Sequence, residues 1–118
     1  MMNVNMSEIT EILSFSINKK DTDKILINDC NFKNIDAIKK YFKVRVLKSN
    51  KQFQCLYINS NNENSQINTN CKNIIVIYNI GEFSKHVKEL IDSKNIVIIF
   101  NNHKLSINDF EQYSLQNC

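Results

Sequence analysis

The chain has 118 residues, of which 42% are hydrophobic and 23% are charged, and its formal net charge is +3. This length holds one compact domain, residues 1–118, and the near-average composition excludes a chain that is disordered throughout. The positive charge comes from scattered lysines and the single Arg45, so it does not favour a nucleic-acid-binding surface, although direct nucleic-acid contact stays open.

The N-terminal region, residues 1–23, contains one predicted helix and a polar break. Ser7 is the predicted N-cap, and apolar residues at helical spacing carry the helix to about Phe15. Lys24–Ile27 is a predicted strand. The apolar spacing from Phe32 to Phe42 then predicts a second helix.

The middle of the chain has a pattern typical of a β-hairpin followed by a loop. Val44 and Val46 alternate with a polar residue, and the same alternation runs from Phe53 to Tyr57. Residues 59–70 are mostly Asn and Ser, which predicts a mobile loop.

Residues 71–118 have the clearest pattern. Ile74–Tyr78 predicts a buried strand, Phe83–Ile91 an amphipathic helix, and Ile96–Phe100 a second buried strand. A tight turn at residues 101 and 102 would lead to a return strand at residues 105–107, and a short final helix would span residues 109–115. The predicted fold is therefore a small α+β domain with a short N-terminal helix, in which strand–helix–strand–strand occurs at residues 24–58 and again at 74–107.

The sequence does not predict an enzyme, a cofactor or a metal site. His86 and His103 have no nucleophile or carboxylate at a spacing that would build a proton relay. Asp92 and Lys94 are predicted to end a helix, and Gly81 alone cannot form a phosphate-binding loop.

Cysteine usage and hydropathy predict a cytoplasmic protein without a membrane span. The four cysteines, at positions 30, 55, 71 and 118, lack the close spacing of zinc ligands. The N-terminal sequence lacks the pattern of a secretory leader, which favours a reduced compartment. No apolar run reaches the roughly 18 residues of a membrane-spanning helix.

The segment CKNIIVIYNIGEFSKHVKELIDSKNIVIIFNNHKLSINDFEQYSL, residues 71–115, resembles the omega-class small subunit of multisubunit DNA-dependent RNA polymerases, including its eukaryotic and poxviral counterparts. The shared features are an apolar strand, an amphipathic helix with a lysine-containing end, an aliphatic strand, a hairpin and the acidic-aromatic close INDF. The upstream Arg-Ala-rich helix of that family is not recognisable here. The resemblance implies a non-catalytic subunit that aids assembly and stability by clamping the largest subunit.

The composition agrees with a viral or plasmid origin for such a subunit. The chain has 20 Asn, 18 Ile and 14 Lys, and these three amino acids share A/T-rich codons. We therefore expect a small polymerase subunit from an A/T-rich virus or cytoplasmic plasmid.

Protein interaction is the predicted activity, with a larger subunit as the partner. One alternative is a self-associating domain that pairs strand Ile96–Phe100 or the hairpin edge in a homodimer. The other is a weak nucleic-acid-binding module. The residues predicted to form the interface or the core are Phe83, Val87, Phe100, Leu105, Ile107 and Phe110.

Overall fold

The computed structural model describes residues 2–30, 32, 34–47, 53–62, 66–102 and 106–116. Within these ranges all six strands are parallel and form one sheet in the order β1-β6-β2-β5-β4-β3. The strands are β1 (Met2–Val4), β2 (Asp23–Asn28), β3 (Phe53–Ile58), β4 (Lys72–Tyr78), β5 (Ile96–Asn101) and β6 (Glu111–Leu115). The helices are α1 (Met6–Lys19), α2 (Ile35–Tyr41), which continues as a π-helical segment (Phe42–Val46), and α3 (Lys85–Ile91).

The sheet is covered on both faces, so the domain has three layers. One face, here called the α1 face, packs against α1, α2 and the π-helical segment. The opposite face, the α3 face, packs against α3 and three connecting segments. Because side chains of a strand alternate between faces, Ile25 and Ile27 join the first layer while Leu26 joins the second, which explains the continuous apolar runs.

Helix α1 begins two residues earlier and ends later than its sequence pattern indicates. Asn5, rather than Ser7, is the N-cap, and it forms a capping box with Glu8. The Asn5 side chain accepts a hydrogen bond from the Glu8 amide at 2.8 Å, while the Glu8 carboxylate accepts one from the Asn5 amide at 3.2 Å. Such reciprocal bonds satisfy two of the amide groups that a helix start leaves unpaired.

The prediction of a small α+β domain with an N-terminal helix is confirmed. Strand–helix–strand succession occurs in both predicted places, as β2, α2 and β3 and as β4, α3 and β5. Strand β1 was not predicted.

The predicted hairpin in the middle of the chain is wrong. Val44–Val46 belongs to the π-helical segment, where Phe42 and Val46 are both buried on the α1 face. These two residues are four positions apart, so a helix buries them on the same side. Their burial favours a helical segment over the strand that the alternation of apolar and polar residues predicts.

The predicted end of the chain is also wrong in part. Ile107 lies outside any strand, while Leu105 and His103 fall outside the described residues. Asn101 belongs to β5 and has no positive φ, so the expected turn is not formed there. Residues 111–115 form β6 rather than a helix, because they fill the position between β1 and β2.

Candidate interaction edge and carboxyl-end cleft

The residues predicted as interface or core lie mainly in the core. Val87 is fully buried and Phe110 is 9% exposed, and both pack on the α3 face. Phe83 and Ile107 are partly buried against the same cluster. Phe100 is buried on the opposite, α1 face.

Strand β5 is central, which contradicts self-association through Ile96–Phe100. It pairs with β2 on one side and with β4 on the other along this whole stretch. Its backbone groups are therefore already used, and a second copy has no edge to join at this strand.

Strand β3 is the longer of the two edge strands. It pairs only with β4, from Phe53 opposite Lys72 to Ile58 opposite Ile77, and its outer side contacts no other strand of the described ranges. The sequence FQCLYI has no charge and no proline, the two devices by which edge strands commonly resist pairing with another chain. The other edge strand, β1, has only three residues.

Two lysines flank β3 on the α1 face. The Lys72 ammonium lies 5.8 Å from the Phe53 ring centroid, at the start of the strand. The Lys39 ammonium lies 5.5 Å from the Tyr57 ring centroid, near its end. Gln54 faces the other side, and its Oε1 is buried and accepts no hydrogen bond from any described residue. The edge therefore combines an apolar strand with a positively charged border.

The backbone amide and carbonyl groups of the odd-numbered β3 residues point away from β4. The Asn62 side chain donates to the Tyr57 carbonyl at 3.1 Å. Asn62 lies in the turn beyond β3, so this carbonyl points away from β4. Since both backbone groups of a strand residue point to the same side and the sides alternate along the strand, the Phe53 and Cys55 amides also point outward.

Burial raises the pKa values of two β3 side chains, Cys55 and Tyr57. It raises the pKa of the Cys55 thiol and, more strongly, that of the Tyr57 phenol, with the neighbouring Cys55 adding to the rise. Both groups are therefore neutral at physiological pH, and a partner strand that covers them meets no buried charge.

The carboxyl ends of the strands form a second candidate site. After β2 the chain passes to the α1 face, where Phe32 packs edge-to-face on Phe100 at 4.9 Å. After β5 it passes to the α3 face, where Ile107 and Phe110 pack. Adjacent strands whose connections leave on opposite faces open a crevice between them, and this topological switch point is where open α/β sheets bind ligands.

Two asparagines lie at this crevice. Asn28 and Asn101 end β2 and β5 in register, and the Asn101 amide group donates to the Asn28 side-chain oxygen at 3.3 Å. A cavity of about 270 Å³ lies next to this crevice, between the carboxyl ends of β5 and β4, and is lined by residues 79–81, 101 and 102. We call these residues, with Asn28 and Asp29, the carboxyl-end cleft.

Two residues of the cleft have left-handed backbones. Asp29 follows β2 with a φ of 63°, and Asn79 follows β4 with a φ of 49°. Asp and Asn are the non-glycine residues that tolerate this region best. The Ser114 hydroxyl donates to the Asp29 carboxylate, and the Asn79 side chain donates to the Phe32 carbonyl. These contacts hold the strand ends in place around the crevice.

The remaining polar side chains considered for catalysis or metal binding do not lie together in one site. His86 lies half-buried on α3, and Asp92 is the C-cap of that helix, as predicted. Asp23 lies at the opposite, amino end of the sheet, where it accepts from the Ser16 hydroxyl at 2.7 Å and pairs with Lys20 at 3.2 Å. Within the described ranges, no group of three or more His, Cys, Asp or Glu side chains has a geometry suited to a metal ion.

No protein-family model, curated protein or solved structure matches this chain. No helix in the described part of the chain is long and apolar enough to cross a membrane.

Sequence reasoning did not identify either candidate site. The free edge of β3 depends on strand order, which pairs residues distant in sequence, and the switch point depends on which face each connection takes. The available signals were the uncharged run FQCLYI for the edge and the polar residues directly after the strands at Asn28, Asn79 and Asn101 for the cleft.

Proposed function

We propose that this chain is a non-catalytic protein-interaction domain, which binds a larger protein by accepting one of its strands against the outer edge of β3. The uncharged six-residue edge, which no other described strand covers and where the Asn62 side chain occupies the Tyr57 carbonyl, carries the proposal. Strand addition of this kind gains main-chain hydrogen bonds along the edge, and side-chain contacts on either face give specificity.

The size of the edge limits how the partner binds. Six residues at about 3.3 Å per residue give an edge about 20 Å long. This buries less than the roughly 1,200 Å² of a stable interface, so the partner also contacts neighbouring surface or binds transiently.

The charges beside β3 favour a different protein over a second copy. In an antiparallel pair of two β3 strands around a two-fold axis, the start of each strand meets the end of the other. Each copy would then add its own Lys39 and Lys72 to the same face of the joined sheet. Like charges on both sides of the joint disfavour pairing, whereas a strand flanked by acidic side chains is attracted.

More specifically, we propose that the larger protein is the largest subunit of a DNA-dependent RNA polymerase. It is supported by the succession β4, α3 and β5, which matches the first three features of the resembling segment. The described residues 101, 102, 106 and 107 do not form a hairpin with β5, so the resemblance covers fewer elements there than its sequence pattern indicates.

Site-specific photocrosslinking in the native host tests the proposal. A photoreactive phenylalanine analogue replaces Phe53 on β3 in one variant and the exposed Glu89 on α3 in the control. We expect a larger protein to be crosslinked from position 53 and not from position 89, and mass spectrometry identifies whether it is a polymerase subunit. Crosslinking from position 89 alone, or a crosslink from position 53 only to a second copy, contradicts the proposal.

A further inference from the structure

We propose that the exposed side of α2 and the π-helical segment binds the phosphate backbone of duplex nucleic acid. This surface, here called the basic helical face, consists of Lys39, Lys40, Lys43 and Arg45, all of which are exposed. Strand addition uses the backbone edge of β3 instead, so either proposal can fail without the other.

The positive charge of the chain is concentrated on this one element. Residues 35–46 contain the four cations and a single carboxylate, Asp36, which gives the stretch a net charge of +3. This equals the formal net charge of the whole chain, because acidic and basic residues balance elsewhere. The lysines that are scattered along the sequence therefore include a cluster on one helix. A basic stripe along a helix is the electrostatic footprint of a nucleic-acid-binding protein.

The π-helical segment turns three consecutive residues outward. The Leu47 amide donates to the Phe42 carbonyl, five residues back, at 2.8 Å, and this longer step widens the turn. Phe42 and Val46 stay buried, while residues 43–45 between them are all exposed. In a regular α-helix Arg45 would share a side with Phe42, since residues three apart are neighbours on one side. π-helical turns are rare and occur frequently at functional sites, which agrees with a binding role for the residues turned outward.

The cations of the basic helical face are not neutralised by neighbouring carboxylates. Within the described ranges, none of the four forms an ion pair. Lys39 contacts the Tyr57 ring, and Glu11 lines the same cavity as Arg45. The Glu11 carboxylate makes the Arg45 end less positive, so the phosphate contacts fall mainly on the three lysines.

The density of charge favours a duplex over other polyanions. From Lys39 to Arg45 the helix rises by at most about 9 Å, at about 1.5 Å per residue. A DNA duplex presents one charge per about 1.7 Å of its axis, or about five over this length, and one strand presents about half as many. An acidic β-strand places the side chains of one face about 7 Å apart, so it offers about two carboxylates there. The duplex therefore offers a phosphate for each of the four cations.

Fluorescence anisotropy of a labelled DNA duplex of about 20 base pairs, titrated with the whole chain, tests the inference. At about 20 mM salt we expect saturable binding, and the logarithm of the association constant should fall with the logarithm of the salt concentration with a slope between about −3 and −4, the value for up to four neutralised phosphates. The double variant Lys40→Gln/Lys43→Gln loses two of these contacts. Its slope should change to about −2, and its affinity at low salt should fall at least about tenfold.

A second double variant controls for net charge. Lys85→Gln/Lys88→Gln removes the same charge from the exposed side of α3, and we expect it to keep the slope and affinity of the unaltered chain. Lys39 is left unaltered in both variants because it also borders β3. Circular dichroism establishes that both variants are folded.

Three outcomes overturn the inference. The first is unchanged anisotropy of the duplex with the chain at up to about 200 µM in low salt. The second is an equal loss of affinity in the two double variants, which would assign binding to the net charge rather than to the basic helical face. The third is tighter binding of a single strand of the same length, or of polyglutamate, than of the duplex.

Discussion

The tyrosines show how burial controls individual side chains in this fold. All four phenols have a raised pKa, and burial is the largest cause at Tyr41, Tyr57, Tyr78 and Tyr113. At Tyr113 the pKa rises to about 12, because burial is reinforced by the phenol's hydrogen bond to the Glu111 carboxylate, at 3.0 Å. Removing the phenolic proton would place two negative charges side by side.

This shift predicts a loss of stability at alkaline pH. A raised pKa means that the folded protein holds the proton more tightly than the unfolded chain, whose phenol ionises near pH 10. The contribution of Tyr113 is therefore complete below about pH 10 and is lost as the pH rises through about 12. We expect the free energy of unfolding of the unaltered chain to fall more steeply across this interval than that of Tyr113→Phe. Urea unfolding at a series of pH values measures both slopes, and parallel slopes contradict the assignment.

At the scale of elements, one side chain joins α1 to the sheet. The Lys72 ammonium, at the start of β4, donates to the backbone carbonyls of Ile17 and Lys20 at the carboxyl end of α1. The last carbonyls of a helix have no partner within the helix, and a cation there also interacts favourably with the helix dipole.

Replacing this lysine should therefore destabilise the domain. Lys72→Met keeps the aliphatic stem but removes the charge, and we expect a loss of about 1.5–3 kcal/mol, the range for hydrogen bonds to a charged group. Lys88→Met, on the exposed side of α3, is the control and should change stability by less than about 0.5 kcal/mol. Equal effects in urea unfolding would show that the contact with α1 contributes nothing.

The sequence predicts an element well where local pattern and final environment agree. β4 is an unbroken β-branched run that becomes a central strand, and α3 has an apolar stripe that becomes its buried side. In both cases the side-chain pattern alone requires the observed structure.

Elements whose structure depends on distant partners were predicted wrongly. At the end of the chain, Phe110 and Tyr113 are three residues apart, as on a helix, while Tyr113 and Leu115 in β6 are two apart, as on a strand. This segment forms a strand because it lies between β1 and β2 and pairs with both. The candidate sites depend on strand order in the same way, so the sequence pattern indicates neither the free edge of β3 nor the crevice between β2 and β5.

At the scale of the molecule, the three layers bury both faces of the sheet, so the proposed binding surface is an edge. The six-residue edge at β3 is twice as long as the three-residue edge at β1. Loops and strand ends change partners more easily than a packed core, which is why interaction sites are commonly found on them.

Strand addition depends on backbone amides that point outward from β3, so a variant without one such amide tests the central claim. Cys55→Pro removes the amide at a position where an edge strand tolerates proline, and Cys55→Val keeps it in a side chain of similar size. Circular dichroism and thermal unfolding establish that both variants are folded before they are compared. Amide exchange of the unaltered chain provides a second measurement without substitution, since the Cys55 amide should exchange more slowly when the partner is bound.

The most direct measurement is the amount of crosslinked partner that each variant captures when affinity-purified from the native host. We predict that Cys55→Val captures the same larger protein as the unaltered chain, and that Cys55→Pro captures at least about tenfold less, because the lost hydrogen bond and the proline ring both oppose strand pairing. Equal capture by the two folded variants, with unchanged exchange at Cys55, would contradict binding through the edge of β3.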